Sequence, residues 1–109
     1  MNEISSIISK LKNFRDERDW KQFHNSKDLA LAISIEAGEL LEQFLWKKDS
    51  EADPQKVKEE LADIFSFALL LADNYGFDIG KIIEEKIEMN AIKYPVEKAK
   101  GTAKKYDQL

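Results

Sequence analysis

Between residues 28 and 46 the apolar side chains are not confined to one face of a helix. At about 100° per residue, Leu29, Ile33, Ala37, Leu40 and Phe44 share one stripe, while Leu31, Ile35, Leu41 and Leu45 cover much of the remaining surface. A helix that is apolar on several sides has to be buried on several sides. The chain has 109 residues, 43% of them hydrophobic, which suits one compact domain but supplies too few helices to enclose such a segment. The expectation is a single domain over residues 1–109 that assembles as a homo-oligomer, a homodimer or a dimer of dimers. An isolated four-helix monomer is the competing arrangement.

The rest of the chain is also helical in its periodicity. Ile4, Ile7, Ile8, Leu11 and Phe14 recur at three- and four-residue spacing, predicting an amphipathic helix over about residues 3–18. Ser26 can cap a second helix running to about Lys47, and Asp53-Pro54 offers a cap with proline at the first helical position of a third. The third should end near Asn74 to Gly76, and a fourth should run from about Asp78 to Tyr94, where Pro95 opposes continuation. No strand-like alternation, fixed-period repeat or low-complexity stretch is present. The predicted class is all-α, an antiparallel four-helix bundle, with a lysine-rich, irregular C-terminal tail from about residue 96 to 109.

Composition removes several function classes. With 17 basic and 21 acidic residues the formal net charge is -4, and no basic run provides a phosphate-backbone footprint, so a DNA or RNA polymer is not an expected partner. Cysteine is absent, which excludes disulfides and thiolate metal sites and fits a reducing compartment. No stretch approaches the roughly 20 apolar residues of a membrane span, and residues 1–10, interrupted by Glu3, lack the apolar core of a signal peptide. The expected location is the cytoplasm, away from any membrane.

Four carboxylates stand where surface acids do not belong. Glu36 and Glu39 lie three residues apart beside the apolar stripe of the second helix, with Gln43 and Trp46 extending their side. Glu60 and Asp63 repeat the spacing on the third helix, on the side of Ile64, Phe67, Leu70 and Leu71, whereas Glu59 falls toward Lys58, Ser66 and Asp73. Two carboxylate pairs facing each other in a partly dry cleft repel, and a divalent cation resolves the conflict. Oxygen-only ligands suit Mg²⁺, with Mn²⁺ as a substitute, and Mg²⁺ characteristically shares its shell with substrate phosphates. Either pair alone is a common helical surface pattern; two pairs in phase on successive apolar helices favour the metal. Di-iron bundles need Glu-x-x-His pairs, and the one histidine, His24, lies outside the strongest helical pattern. There is no Walker loop, nucleophile elbow or zinc motif, which leaves metal-assisted displacement.

Glu36-Ala-Gly-Glu39 followed by Glu60-Leu-Ala-Asp63 resembles the Glu-x-x-Glu and Glu-x-x-Asp signature of the MazG-like all-α nucleotide pyrophosphohydrolases. Arg18-Asp19-Trp20-Lys21-Gln22-Phe23-His24, Phe44-Leu45-Trp46, Asn90-Ala91-Ile92-Lys93-Tyr94-Pro95 and Lys105-Tyr106 look like the corresponding segments of the dCTP pyrophosphatase subgroup, so the resemblance runs from about Phe14 to Leu109. It implies Mg²⁺-dependent cleavage of a nucleoside triphosphate between the α- and β-phosphates, giving monophosphate and pyrophosphate, with dCTP or a modified dCTP as favoured substrate and nucleotide-pool cleansing as the role. Glu36, Glu39, Glu60 and Asp63 would then be the catalytic metal ligands, and Lys86, Asn90, Lys93 and Tyr94 the opposing substrate surface. Spacings of three, four and seven residues allow those four to share one side of the fourth helix, the lysines meeting phosphate charge and Asn90 and Tyr94 supplying directed hydrogen bonds. One departure bears on the base: where animal members of the subgroup carry a pocket histidine, this chain has Leu11, continuing the apolar stripe of the first helix.

Trp20, Phe23, His24 and Trp46 are candidates for a base pocket, because aromatic faces stack on a nucleobase and a histidine can read its polar edge. Core packing is the alternative for each and the preferred reading of Phe23; Trp46, near the acids, is read as a ligand contact. Lys86 and Lys93 can equally belong to a solvated basic face, and Asn90 and Tyr94 can simply secure a helix end. Lys105 and Tyr106 either close over phosphate or end a loose tail. The competing function is a noncatalytic nucleotide- or metal-binding helical interaction module.

Overall fold

The computed structural model describes residues 2–109, all of whose regular structure is helical. Two compact units are present, one ending at Gly76 and one spanning Phe77–Leu109.

Three helices build the first unit. Helix α1 spans Glu3–Glu17, and the Asn2 side chain accepts from the Ser5 N–H to cap it. Its apolar stripe is rotated from the one expected. Ile7 and Phe14 are partly exposed, at 37% and 50%, whereas Arg15 is 4% exposed and sits on the continuation of Ile8 and Leu11. After α1 the chain turns through Asp19, a non-glycine residue at φ 54°, into a single 3-10 turn at Lys21–Phe23.

Helix α2 spans Ser26–Glu42, five residues shorter than the predicted end at Lys47. Its cap is Asn25 rather than Ser26: the Asn25 carboxamide oxygen accepts from the Asp28 N–H while its Nδ2 donates to the Asp28 carboxylate at 2.8 Å. Beyond Glu42 the ladder tightens to three-residue hydrogen bonds, Phe44 to Leu41, Leu45 to Glu42 and Lys47 to Phe44. The run passes through Trp46 at φ 60°, a left-handed conformation that costs a non-glycine residue roughly 1–2 kcal/mol. Side-chain periodicity carries no sign of that turn, which is why the pattern of apolar residues overran the helix.

Helix α3, Pro54–Tyr75, obeys its sequence signals. The Asp53 carboxylate caps it, Pro54 occupies the first turn, and Gly76 ends it at φ 70°, a conformation glycine adopts without penalty. Packing is centred on α3, which lies against both α2 and α1. Leu29 of α2 is 1% exposed and Leu70 of α3 is 4% exposed. Lys12 on α1 and Asp73 on α3 form an ion pair at 3.3 Å. Near its start α2 meets the later part of α3, where the His24 ring lies edge-on to Phe67, and near its end it meets the earlier part, at Glu60; the two helices are antiparallel. The outer stripe of α2 is uncovered, with Leu31, Ile35 and Leu41 between 51% and 67% exposed; Leu45 in the turns after it is 51% exposed and Phe65 of α3 62%.

The second unit contains α4, Ile79–Lys93, capped by the Asp78 side chain as expected and ending at Tyr94. Pro95 leads into one helical turn, α5, Val96–Ala99, and a 3-10 turn at Tyr106–Gln108 closes the chain, with irregular backbone through Gly101 between them.

Candidate functional site

The antiparallel pairing of α2 and α3 brings acids from both helices together. Glu36, Glu60 and Asp63 each present a carboxylate oxygen, and these oxygens all lie within 4.8 Å of one another. Glu36 and Glu60 are half-buried and Asp63 is exposed, so the cluster opens to solvent on the Asp63 side. Glu59 is exposed, and its carboxylate accepts from Gln55 Nε2 at 3.2 Å. Glu39 is outside the group of three but close enough to act on Glu36 through its charge. Gln43 reaches back to the Glu39 carbonyl at 3.2 Å and so braces the last turn of α2.

The electrostatics of this seam are unfavourable to a bare set of carboxylates. Glu36 Oε2 and Glu60 Oε2 are sealed from solvent and have no hydrogen-bond partner, a costly state for an acceptor. Burial, then the hydrogen bonds that the protonated acid can donate to the Glu60 and Glu39 carboxylates, then repulsion from Glu39 and Asp63 push the Glu36 carboxyl up from 4.5 to about 7. Something positive is wanted there, a shared proton or a metal ion. Oxygen donors alone, at least three of them, with an open side at Asp63, fit Mg²⁺ or Mn²⁺. Sealed oxygens without partners are what such an ion would coordinate.

The aromatic candidates divide. His24 lies between the 3-10 turn and α2, its ring edge-on to Phe67 with centroids 6.2 Å apart and its carbonyl accepting from Asn74 Nδ2 at 3.1 Å. Its Nδ1 is sealed and unpartnered. Burial, with the nearby Arg15 charge, holds its basicity below the usual imidazole range. Phe67 is one helical turn beyond Asp63, so His24 stands at the far end of the acid-bearing side of α3. Trp20 packs edge-on against Phe14 at 5.8 Å, and the Arg18 guanidinium lies 3.6 Å over the Phe14 ring. Phe23 is 60% exposed, contrary to the core role expected of it, because the 3-10 turn directs it outward. Trp46 is 94% exposed, held out by its left-handed backbone.

In the second unit Lys86, Asn90 and Lys93 are exposed and Tyr94 is half-buried. Lys93 Nζ lies 5.1 Å from the Tyr106 ring centroid, and Tyr94 and Tyr106 meet edge-on at 6.2 Å. The structure thus joins Lys93 and Tyr94 to Tyr106 of the tail, while Lys86 and Asn90 lie exposed on the same helix. Arg15 is the residue that periodicity could have found and did not. It falls four residues after Leu11 and seven after Ile8, and its charge concealed a core phase.

The model of the MazG-like family matches residues 31–109, which includes all four acids. The chain is similar to dCTP pyrophosphatase 1 of Rattus norvegicus, at 38% identity over 88% of this chain, and to that of Homo sapiens, at 36% over 88%. It spans 61% of the length of these relatives. Among solved structures it is similar to a pyrophosphatase from Archaeoglobus fulgidus, with a TM-score of 0.81 and 35% identity, covering 87% of this chain and 94% of that one. No helix among the described residues is long and apolar enough to cross a membrane. On the extent of the family match and the identity to these relatives, the chain belongs to the MazG-like family.

Proposed function

We propose that this protein hydrolyses a nucleoside or deoxynucleoside triphosphate between the α- and β-phosphates, releasing the monophosphate and pyrophosphate, with dCTP or a modified dCTP favoured. The observation that carries the reading is the seam of Glu36, Glu60 and Asp63, in which one oxygen each of Glu36 and Glu60 is sealed and unpartnered and wants a cation. The similarity to dCTP pyrophosphatases supports the substrate.

In this reading Glu36, Glu39, Glu60 and Asp63 hold Mg²⁺, with Mn²⁺ able to replace it. The ion, when bound, offsets negative charge on the transferring phosphoryl group and the departing pyrophosphate. The carboxylates would fix the position of that charge compensation, and Glu36 would give up to the ion's arrival the proton that burial holds on it. Lys86 and Lys93 contact the triphosphate while Asn90 and Tyr94 donate directed hydrogen bonds. Trp20, His24 and Trp46 receive the base; the exposure of Trp46 leaves its face free to stack. Assembly as a homodimer or dimer of dimers covers the outer apolar stripe of α2, and the role is nucleotide-pool cleansing in the cytoplasm.

A panel of nucleoside triphosphates incubated with Mg²⁺ tests the reaction. The expected products are monophosphate and pyrophosphate, with pyrimidine deoxynucleotides turned over fastest. Orthophosphate with diphosphate would overturn the cleavage site, and equal turnover of purines would overturn the base preference. The noncatalytic module is the reading left if no triphosphate is hydrolysed under Mg²⁺ or Mn²⁺.

A further inference from the structure

Residues 93–109 carry charge of the opposite sign to the rest of the chain. They hold Lys93, Lys98, Lys100, Lys104 and Lys105 against Glu97 and Asp107, in a protein whose formal net charge is -4. Helical periodicity has no means of placing such a segment, but local hydrogen bonds do. The Tyr94 N–H closes α4 on the Asn90 carbonyl at 2.8 Å, and Pro95 cannot extend the ladder. After α5 the chain turns at Gly101, φ 80°, a conformation open to glycine, and Thr102 Oγ1 accepts from the Lys104 N–H at 3.3 Å. These turns return the tail to the end of α4. The Tyr106 ring meets Tyr94 edge-on at 6.2 Å, and Lys93 Nζ lies 5.1 Å from its centroid.

Two ordinary roles leave part of this arrangement unexplained. A lysine in the last helical turn complements the negative end of the helix dipole, but that needs charge at the helix end and no ring from the tail. A tyrosine can anchor a terminus by burial, but Tyr106 is 51% exposed and Lys93 is exposed with it. What the ring does supply is a face for the ammonium, within the distance at which an aromatic quadrupole attracts a cation. An unrestrained lysine gives up the freedom of a flexible four-carbon stem when it meets an anion. One already held over a ring, on an exposed side chain, has lost part of that freedom beforehand and binds the anion more tightly.

We infer that Tyr106 is a positioning residue for triphosphate binding: folded back over the end of α4, its ring holds the Lys93 ammonium where a phosphate oxygen meets it. This rests on the reading that Lys93 contacts the triphosphate. Of the two roles open to the Lys105-Tyr106 segment, these contacts favour closure at the phosphate surface over a loose end, with the ring of Tyr106 as the acting group.

The test is a double-mutant cycle of Tyr106→Leu and Lys93→Ala, with Tyr106→Phe beside it. KM and kcat are measured for dCTP, and the inhibition constant for inorganic tripolyphosphate in excess Mg²⁺, which has the phosphates without sugar or base. Tyr106→Leu should raise KM and the inhibition constant by about two- to fivefold, the size of an exposed cation–π contact. Its kcat should stay within about 1.5-fold of wild type, as for a loss of uniform binding. Tyr106→Phe, which keeps the ring face, should restore the wild-type constants. In the Lys93→Ala background Tyr106→Leu should add nothing. An effect of Tyr106→Leu that persists undiminished without Lys93 would overturn the inference. So would an equal loss in Tyr106→Phe, or a Tyr106→Leu variant with KM and the inhibition constant unmoved, whatever its melting temperature. Wild-type constants in Lys93→Ala would instead overturn the placing of the triphosphate on Lys93, and a wild-type protein inert toward every triphosphate would overturn the hydrolase reading; the inference falls with either.

Discussion

The α2–α3 seam and helix α4 carry the two halves of the proposed chemistry, and they hold their charges in opposite ways. At the seam, tertiary packing forces Glu36 and Glu60 half under cover and leaves an oxygen of each sealed and unpartnered. On α4, Lys86, Asn90 and Lys93 stand in solvent, with Lys93 lying over the Tyr106 ring. Buried like charges create a demand that only a cation or proton meets, whereas exposed cations make no demand and act when an anion arrives. The seam should therefore be the sensitive region and α4 the tolerant one.

The largest expected effect follows from removing a seam charge. Glu60→Gln, Asp63→Asn and Glu39→Gln should each lower kcat/KM for pyrophosphate release by at least about a hundredfold, with helical circular dichroism and oligomeric mass retained. Glu59→Gln, one residue from Glu60 but exposed, should change turnover less than about twofold. Equal sensitivity of Glu59 and Glu60 would break the distinction between seam and surface.

A second prediction uses Glu36 directly. Its carboxyl is raised from 4.5 to about 7, so between those values the folded protein keeps a proton that the unfolded chain has released. Stability contributed by the protonated group is present at low pH and is lost as pH rises through that window. His24 acts in the opposite sense below 6.5, because its lowered basicity makes the folded state bind fewer protons there. The clean observable is the difference in melting temperature between wild type and Glu36→Gln without divalent ions, which should fall from pH 5 to pH 8. Adding Mg²⁺ should recover wild-type stability at pH 8 and do little at pH 5, where protons compete for the ligand. A difference independent of pH would show that Glu36 titrates like an exposed acid.

Smaller effects are expected on the other side of the comparison. Lys93→Ala and Lys86→Ala should raise KM for the triphosphate by about fivefold to tenfold with folding stability unchanged within about 0.5 kcal/mol. The loss should shrink at high salt, since exposed charges are screened. Least of all should be the stability change in Trp46→Gly. Trp46 is 94% exposed at φ 60°, so glycine should leave the fold equally or slightly more stable, by up to about 1 kcal/mol, while weakening base binding.

The same contrast explains what the sequence could convey. Helical phase separated Glu60 from Glu59 because the choice depends only on angle around one helix. Asp53-Pro54, Gly76 and Asp78 marked their helix ends because capping is a local hydrogen-bonding matter. The stop of α2 at Glu42 was hidden, since the following turns keep apolar residues at nearly helical spacing while Trp46 adopts a backbone conformation unrelated to its side-chain preference. Arg15 was missed for a related reason: its position was legible but its charge argued against the core. Which acids converge was legible as pairs on each helix; that Glu36 joins Glu60 and Asp63 while Glu39 stands aside depends on how far α2 slides along α3, which no single-helix pattern encodes.

The central claim is that the α2–α3 carboxylates form a divalent-cation site. The free-ion electron paramagnetic resonance signal of Mn²⁺, titrated with protein at pH 8, measures this without requiring turnover. Wild type should remove the signal saturably, Mg²⁺ should restore it by competition, and Asp63→Asn with Glu60→Gln should bind at least about tenfold more weakly. Undiminished Mn²⁺ binding by that double variant, or no binding by the wild type with or without a nucleotide triphosphate, would contradict the account.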